Sequence, residues 1–234
     1  MARAAATELM GLRGRSPDAG GSALADEGDR RSHELIAGLL ARARPADPVL
    51  SEEAVADEDL DRRGRLWIVD PLDGTREFSE GRADFAVHVA MVVAGVPEVG
   101  AVALPAEEVV LSTDRPPRLA ARPGGPTRVV VSRTRPPAVA VGLADALDAQ
   151  VVPMGSAGAK IMAVVRGQAD VYVHAGGQYQ WDSAAPVAVA LAAGAHASRV
   201  DGSPLRYDDP DPWLPDLVVC RPELASSVLA ALSG

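Results

Sequence analysis

"LWIVDPLDGTREF", Leu66 to Phe78, decides the reading of this chain. The apolar run Leu66–Val69 has the make-up of a buried strand. It drives into Asp70 and, three residues later, Asp73. Pro71 fixes φ and Gly74 permits a tight turn, so both carboxylates end a rigid strand and point the same way. Two neighbouring like charges disfavour each other's ionisation. A divalent cation relieves that directly. The Leu72 carbonyl adds a hard oxygen, and hard oxygens with no His or Cys beside them suit Mg²⁺. A solvated turn carrying two surface acids is the plainer account of an isolated D-x-x-D.

Composition sets the wider bounds. The 234 residues allow one large domain or two small ones, and 47% hydrophobic content supplies a sizeable core. A net charge of −9 argues against a nucleic-acid partner, whose backbone calls for a basic face. It leaves room for a small phosphorylated substrate with a local cation site. The single cysteine, Cys220, forms no internal disulfide and fits a reducing cytoplasm. The N-terminus lacks the apolar region of a signal peptide, and no apolar run nears the ~20 residues of a membrane span. The expectation is a soluble, cytoplasmic protein with no membrane partner.

Along the chain, Ala2–Leu12 reads as a short helix and Gly11–Asp26 as a mobile glycine-rich loop. A helix begins near Asp29, with Leu35, Ile36, Leu39 and Leu40 on its buried face, and Pro45 and Pro48 beyond it. Residues 57–65 read as a charged surface loop. Strands follow at Leu66–Val69, Phe85–Gly95, 97–105 and 107–114, as an antiparallel sheet. Pro116–Pro126 is the best linker. Beyond it strands and helices alternate, ending in "DLVVC" and a helix over Pro222–Leu232, which implies an α/β layer. The division expected is an α+β part over 1–125 and an α/β part over 126–234.

Other acids extend the first pair. "SEE", Ser51–Glu53, brings Glu52 to the end of a neighbouring extended segment. "WDSAAP" places Asp182 at the start of an apolar helix, where an N-cap aspartate is the bland account. Asp29, ahead of its helix, carries the same bland account.

Together these residues carry a resemblance. "WIVDPLDGTREF" followed by "WDSAAPVAVALAAG" resembles the inositol monophosphatase superfamily of Mg²⁺-dependent phosphatases. The tail Arg76-Glu77-Phe78, "GSAGAK" (Gly155–Lys160), "HAGGQYQWDSAAP" and "DGSPLRY" are similar to its 3'(2'),5'-bisphosphate nucleotidase branch, the CysQ type, and closest to actinobacterial members. The fold implied is α/β (α+β), the layered αβαβα sugar-phosphatase architecture.

The resemblance also implies roles. Glu52, Asp70 and the Leu72 carbonyl would hold one Mg²⁺, and Asp70, Asp73 and Asp182 a second. Glu52 would help a third. Asp29 and Thr75 would orient and deprotonate the attacking water. The Gly74 and Thr75 backbone N–H groups would contact phosphate, with Glu52, Leu72, Asp73 and Asp182 also around the substrate. Ser156, Lys160, His174 and Gln178 would face the rest of a nucleotide. For Lys160 a solvent-facing helix position is the alternative, and for His174 and Gln178 structural packing. The activity implied is removal of the 3'-phosphate of adenosine 3',5'-bisphosphate to give AMP. The alternatives are inositol monophosphatase or fructose-1,6-bisphosphatase activity, a phosphatase for a phosphorylated natural product, and a non-enzymatic Mg²⁺ or nucleotide binder. A homodimer is a further expectation.

Of the remaining residues, His88 reads as a core or sheet-face histidine, His33 as solvated, His196 as a turn residue and Cys220 as a buried small hydrophobe. The family's longer first helix reads as absent or trimmed before Asp29.

Overall fold

The computed structural model describes residues 1–15, 21–54, 60, 62–122 and 124–233. Two sheets of five strands are the frame. The first is ordered β1-β2-β3-β4-β5: Val49–Ser51, Arg65–Asp73, Ala86–Val93, Val96–Leu104 and Val109–Ser112. Only β1 with β2 is parallel in it; the other pairs are antiparallel. The second is ordered β7-β6-β8-β10-β9, from β6 (Arg128–Ser132), β7 (Gln150–Met154), β8 (Val171–Tyr179), β9 (His196–Ser198) and β10 (Trp213–Cys220).

Alternation along the strands sorts the helices into layers. Leu66 and Ile68 of β2 face a central core, while Val69 and Leu72 face an outer one. The outer core is covered by α1 (Ala2–Arg15) and α2 (Ser22–Ala43). The central core takes Ala159 and Ile161–Val165 of α5 (Ala157–Val165) and much of α6 (Gln180–Ala192). It also takes Val130, Tyr172, Leu217 and Val219 of the second sheet. The opposite face of that sheet, with Val129, Val171, Val173 and Val218, packs under α4 (Ala138–Ala146) and α7 (Ala225–Ser233). The result is the expected five-layer αβαβα arrangement. A five-residue helix, α3 (Thr75–Ser79), follows β2.

The N-terminal reading needs correction. The first helix runs through Arg15, burying Ala2, Ala5, Ala6, Leu9 and Leu12, so a helix does precede the one that carries Asp29. The second starts at Ser22, which places Asp29 inside a helix rather than ahead of one. Gly11–Arg15 is helix instead of loop; of the rest of that stretch, 16–20 lie outside the described residues. In the charged run 57–65, Arg62 is buried and donates to Gln180 Oε1 at 3.4 Å, and 57–59 and 61 lie outside the described residues. His33 is half-buried, with Nδ1 3.0 Å from Ser51 Oγ. His196 belongs to β9, a strand not anticipated. Cys220 is buried as expected.

Candidate active site

β2 carries the first acids further than a plain strand would. Asp70 pairs with His88 and Asp73 with Ala86, so two β2 residues, Pro71 and Leu72, oppose Val87 alone. Pro71 has no N–H for the ladder, which favours such a bulge. In a regular strand residues three apart face opposite sides. The extra residue cancels that alternation and turns Asp70 and Asp73 to one side. The turn beyond depends on Gly74, whose φ of 90° and ψ of 45° lie in the left-handed region.

Asp182 arrives from the other half of the chain, on the first turn of α6. Its carboxylate accepts a 2.6 Å hydrogen bond from the Tyr179 N–H, so it caps its own helix start from within rather than as the preceding residue. One oxygen each from Asp70, Asp73 and Asp182 lies within 4.8 Å of the others.

The three acids are not equivalent. Asp70 is fully buried; its Oδ1 accepts from the Leu72 N–H at 3.1 Å, while Oδ2 has no partner. Burial, then Asp73, Glu52, Asp182 and Asp29, hold its carboxyl well above the usual range. Burial would also push Asp73 up, but His88, Ser156 and Lys160 outweigh it and bring it to about 2. Asp73 accepts from Ser156 Oγ (2.5 Å), Ala157 N (3.0 Å) and Gly158 N (2.6 Å). Asp182 is pushed up to about 6 by burial and by Asp73.

Glu52 follows β1 and stands at the exposed rim. Protein around its carboxyl withholds water, and Asp182, Asp73 and Glu53 add repulsion; the group rises to about 7, with Asp70 near enough to hydrogen-bond and ease the shift. Asp29 on α2 is buried, its Oδ1 unpartnered. Burial, then Glu52 and Glu53, push it up to about 8, and a hydrogen bond with Thr75 offsets part of that. Gly28 lets α2 come this close: a methyl group there would fall 2.8 Å from the Phe78 ring and 3.2 Å from Leu72. The Thr75 hydroxyl donates to the Leu72 carbonyl at 3.1 Å. Hydrogen bonds and mutual repulsion thus link Asp29, Glu52, Asp70, Leu72, Asp73, Thr75 and Asp182, with Gly74 in the turn between them.

The predicted nucleotide-facing residues divide differently. Ser156 is the N-cap of α5, accepting from the Ala159 N–H while donating to Asp73. Lys160 is buried rather than solvent-facing; Nζ donates to the carbonyls of Gly155 (3.3 Å) and Ser156 (2.6 Å) and sits 5.4 Å from the Tyr172 ring centre. His174 Nε2 lies 3.0 Å from the Gly177 carbonyl, and the residue lines a cavity of about 450 Å³ with Ser132, Thr134, Arg135 and Gly176. Gln178 donates to the Tyr172 hydroxyl at 2.9 Å.

Two elements of the site were not read from the sequence. Glu77, in the motif's tail, is buried and paired with Arg133 at 2.8 Å, tying α3 to the loop after β6. His88 reaches across to Trp181 and Asp73. The Glu77–Arg133 and His88–Trp181 contacts join residues more than fifty positions apart, and no local pattern marks them.

An all-oxygen cluster with one buried, unpartnered carboxylate oxygen fits a hard divalent cation. Such a cluster, at the end of β2 and the start of α6, places the chain in the class of layered αβαβα folds that carry an acidic centre. The chain belongs to the inositol monophosphatase family, whose profile it matches over residues 3–118 and 125–233. It is 53% identical over 219 residues to the 3'-phosphoadenosine 5'-phosphate phosphatase of Mycobacterium bovis, covering 90% of this chain and 82% of that protein. The 3'(2'),5'-bisphosphate nucleotidase CysQ of Escherichia coli K12 is 34% identical over 199 residues, 80% of each chain. Among solved structures, CysQ of Bacteroides thetaiotaomicron superposes with a TM-score of 0.79 at 28% identity, over 94% of both chains.

Proposed function

We propose that this protein is a Mg²⁺-dependent phosphatase that removes the 3'-phosphate of adenosine 3',5'-bisphosphate to give AMP. The observation that carries the reading is the convergence of Asp70, Asp73 and Asp182 within 4.8 Å. The activities named for its mycobacterial and E. coli relatives give the substrate.

In this reading Asp70, Asp73, Asp182, Glu52 and the Leu72 carbonyl hold two or three Mg²⁺ ions. Bound cations would neutralise phosphate charge and lower the pKa of water. The chain's own groups do the rest. Asp29 and Thr75 orient the attacking water, and the Asp29 carboxylate in its ionised form accepts its proton. The Gly74 and Thr75 N–H groups face the phosphoryl oxygens. Phosphoryl transfer asks for this positioning and charge neutralisation more than for a covalent nucleophile.

The cavity lined by Thr134, Arg135 and His174 is tied to Lys160 through His174, which feels its charge. It takes the nucleoside and the 5'-phosphate, with Arg135 as the cation. Lys160 contributes a fixed positive charge behind the α5 turn rather than a direct phosphate contact.

The test is phosphate release with Mg²⁺ from adenosine 3',5'-bisphosphate, inositol 1-phosphate and fructose 1,6-bisphosphate, each with and without Li⁺. The expected order puts the nucleotide first. A preference for inositol 1-phosphate overturns the substrate assignment. No release without added Mg²⁺ is expected for any of the three.

A further inference from the structure

We propose that His88 is a positioning residue for the acid cluster: its imidazole fixes the spacing between the Asp70–Asp73 turn and Asp182, and so sets the affinity of the centre for a divalent cation. The proposal rests on the metal-dependent reading above.

His88 is fully buried on β3, opposite Asp70 in the strand register. Its ring is held on three sides by three elements. Nδ1 lies 3.1 Å from the Trp181 carbonyl, the peptide that leads directly into Asp182. Nε2 lies 3.2 Å from Asp73 Oδ2. The third side is Gly158 of α5, where a methyl group would come within 1.9 Å of Nε2. Asp70 Oδ2 is a further 3.9 Å from Nδ1. One ring therefore touches the mounting of every acid in the cluster, through β2, α5 and α6.

A carbonyl can only accept, so the Trp181 contact requires Nδ1–H to donate, which fixes the ring plane. Outer groups of this kind orient the ligands of metal centres, and their loss typically weakens binding about 10- to 100-fold. Packing alone does not account for a histidine here. Leucine would fill much of the same volume without burying a polar nitrogen that lacks a well-formed hydrogen bond. The bare face of Gly158 is what admits the ring between α5 and β3.

The test is Mn²⁺ affinity of the full chain by electron paramagnetic resonance, read beside thermal melting in EDTA and the kcat and KM of phosphate release. His88→Leu is expected to raise the Mn²⁺ Kd about 10-fold or more, with melting in EDTA held or raised. Its kcat loss at limiting Mn²⁺ shrinks as Mn²⁺ is raised. His88→Asn keeps a donor near the Nδ1 position and recovers most of the affinity. Gly158→Ala, which displaces the ring, weakens Mn²⁺ binding in the same direction. Wild-type Mn²⁺ affinity in His88→Leu and Gly158→Ala overturns the proposal, as does a lower melting point in EDTA with affinity unchanged. Should His88→Leu fail to fold, wild-type affinity in Gly158→Ala overturns it alone. If the wild-type chain binds no Mn²⁺, the metal reading itself fails first, a result distinct from unchanged affinity in the variants.

Discussion

Ser156 donates a 2.5 Å hydrogen bond to Asp73, and the two residues come from opposite halves of the chain. With the Ala157 and Gly158 N–H groups added, the end of β2 is bolted to the start of α5. Asp73 is thereby ionised in advance of any cation, while Asp70, one bulge away, is held toward its neutral form. The cluster is half charged and half waiting.

Asp70→Asn follows from that asymmetry. The amide keeps the volume and removes a carboxyl that the cation-free fold disfavours in its charged form. Phosphatase activity should fall by several kcal/mol of transition-state stabilisation, on the order of 10³-fold in kcat. Melting in EDTA should hold or rise, and the melting gain on adding Mg²⁺ should vanish. Activity near wild type would defeat the assignment of Asp70 as a shared metal ligand.

Thr75→Ala removes the hydroxyl that bridges Asp29 and the Leu72 carbonyl. Proton handling of this kind contributes about 10²- to 10⁴-fold. Steady-state kinetics should show the loss in kcat with KM little changed, the mark of an interaction made in the transition state. A pure KM effect would contradict the role.

The raised acids predict a pH dependence for the cation-free protein. Asp29 at about 8, Glu52 at about 7 and Asp182 at about 6 all lie above the ordinary carboxylate range near 4. The folded state then binds more protons than the unfolded chain, so their contribution to stability falls as pH rises from about 4 through about 8. Asp73, at about 2, works the other way and loses its contribution only as pH falls through that value. Melting in EDTA should drop between pH 5 and pH 8, and the gain from Mg²⁺ should grow over the same interval. A flat profile with a constant Mg²⁺ gain counts against the cluster as described.

Arg133→Ala leaves Glu77 buried without its partner. The pair is partly exposed on the Arg133 side, so the loss is less than for a sealed ion pair, about 2 kcal/mol. For a chain of this size that lowers the melting temperature by roughly 4–8 °C. Differential scanning calorimetry would check it, and Glu77→Gln in the same background should restore part of the loss.

The motif from Leu66 to Phe78 was legible because its chemistry is local: an apolar strand, a proline, a glycine and acids at fixed spacing. The five layers were implied by resemblance, and most helices and strands by periodicity. What escaped was decided by contacts far apart in sequence. Glycines at 11 and 14 suggested a loop, yet burial of Leu9 and Leu12 against the first sheet carries α1 through Arg15. Arg62 looked solvated amid charge but is buried beside Gln180. Lys160 and His88 were read from their own segments, while Lys160 is buried beside the Tyr172 ring and His88 reaches Trp181 of the other half of the chain.

That central layer has a consequence for biosynthesis. The inner face of the first sheet is roofed by α5 and α6, which leave the ribosome long after the strands they cover. A nascent chain that has reached the Pro116–Pro126 stretch already displays Asp70 and Asp73, yet lacks Asp182 and the anchors Ser156 and Gly158. A cation that needs all three acids would therefore be captured only once α6 is made. Its binding would report on the joining of the two halves of the chain, not on the folding of the strand that carries the signature motif.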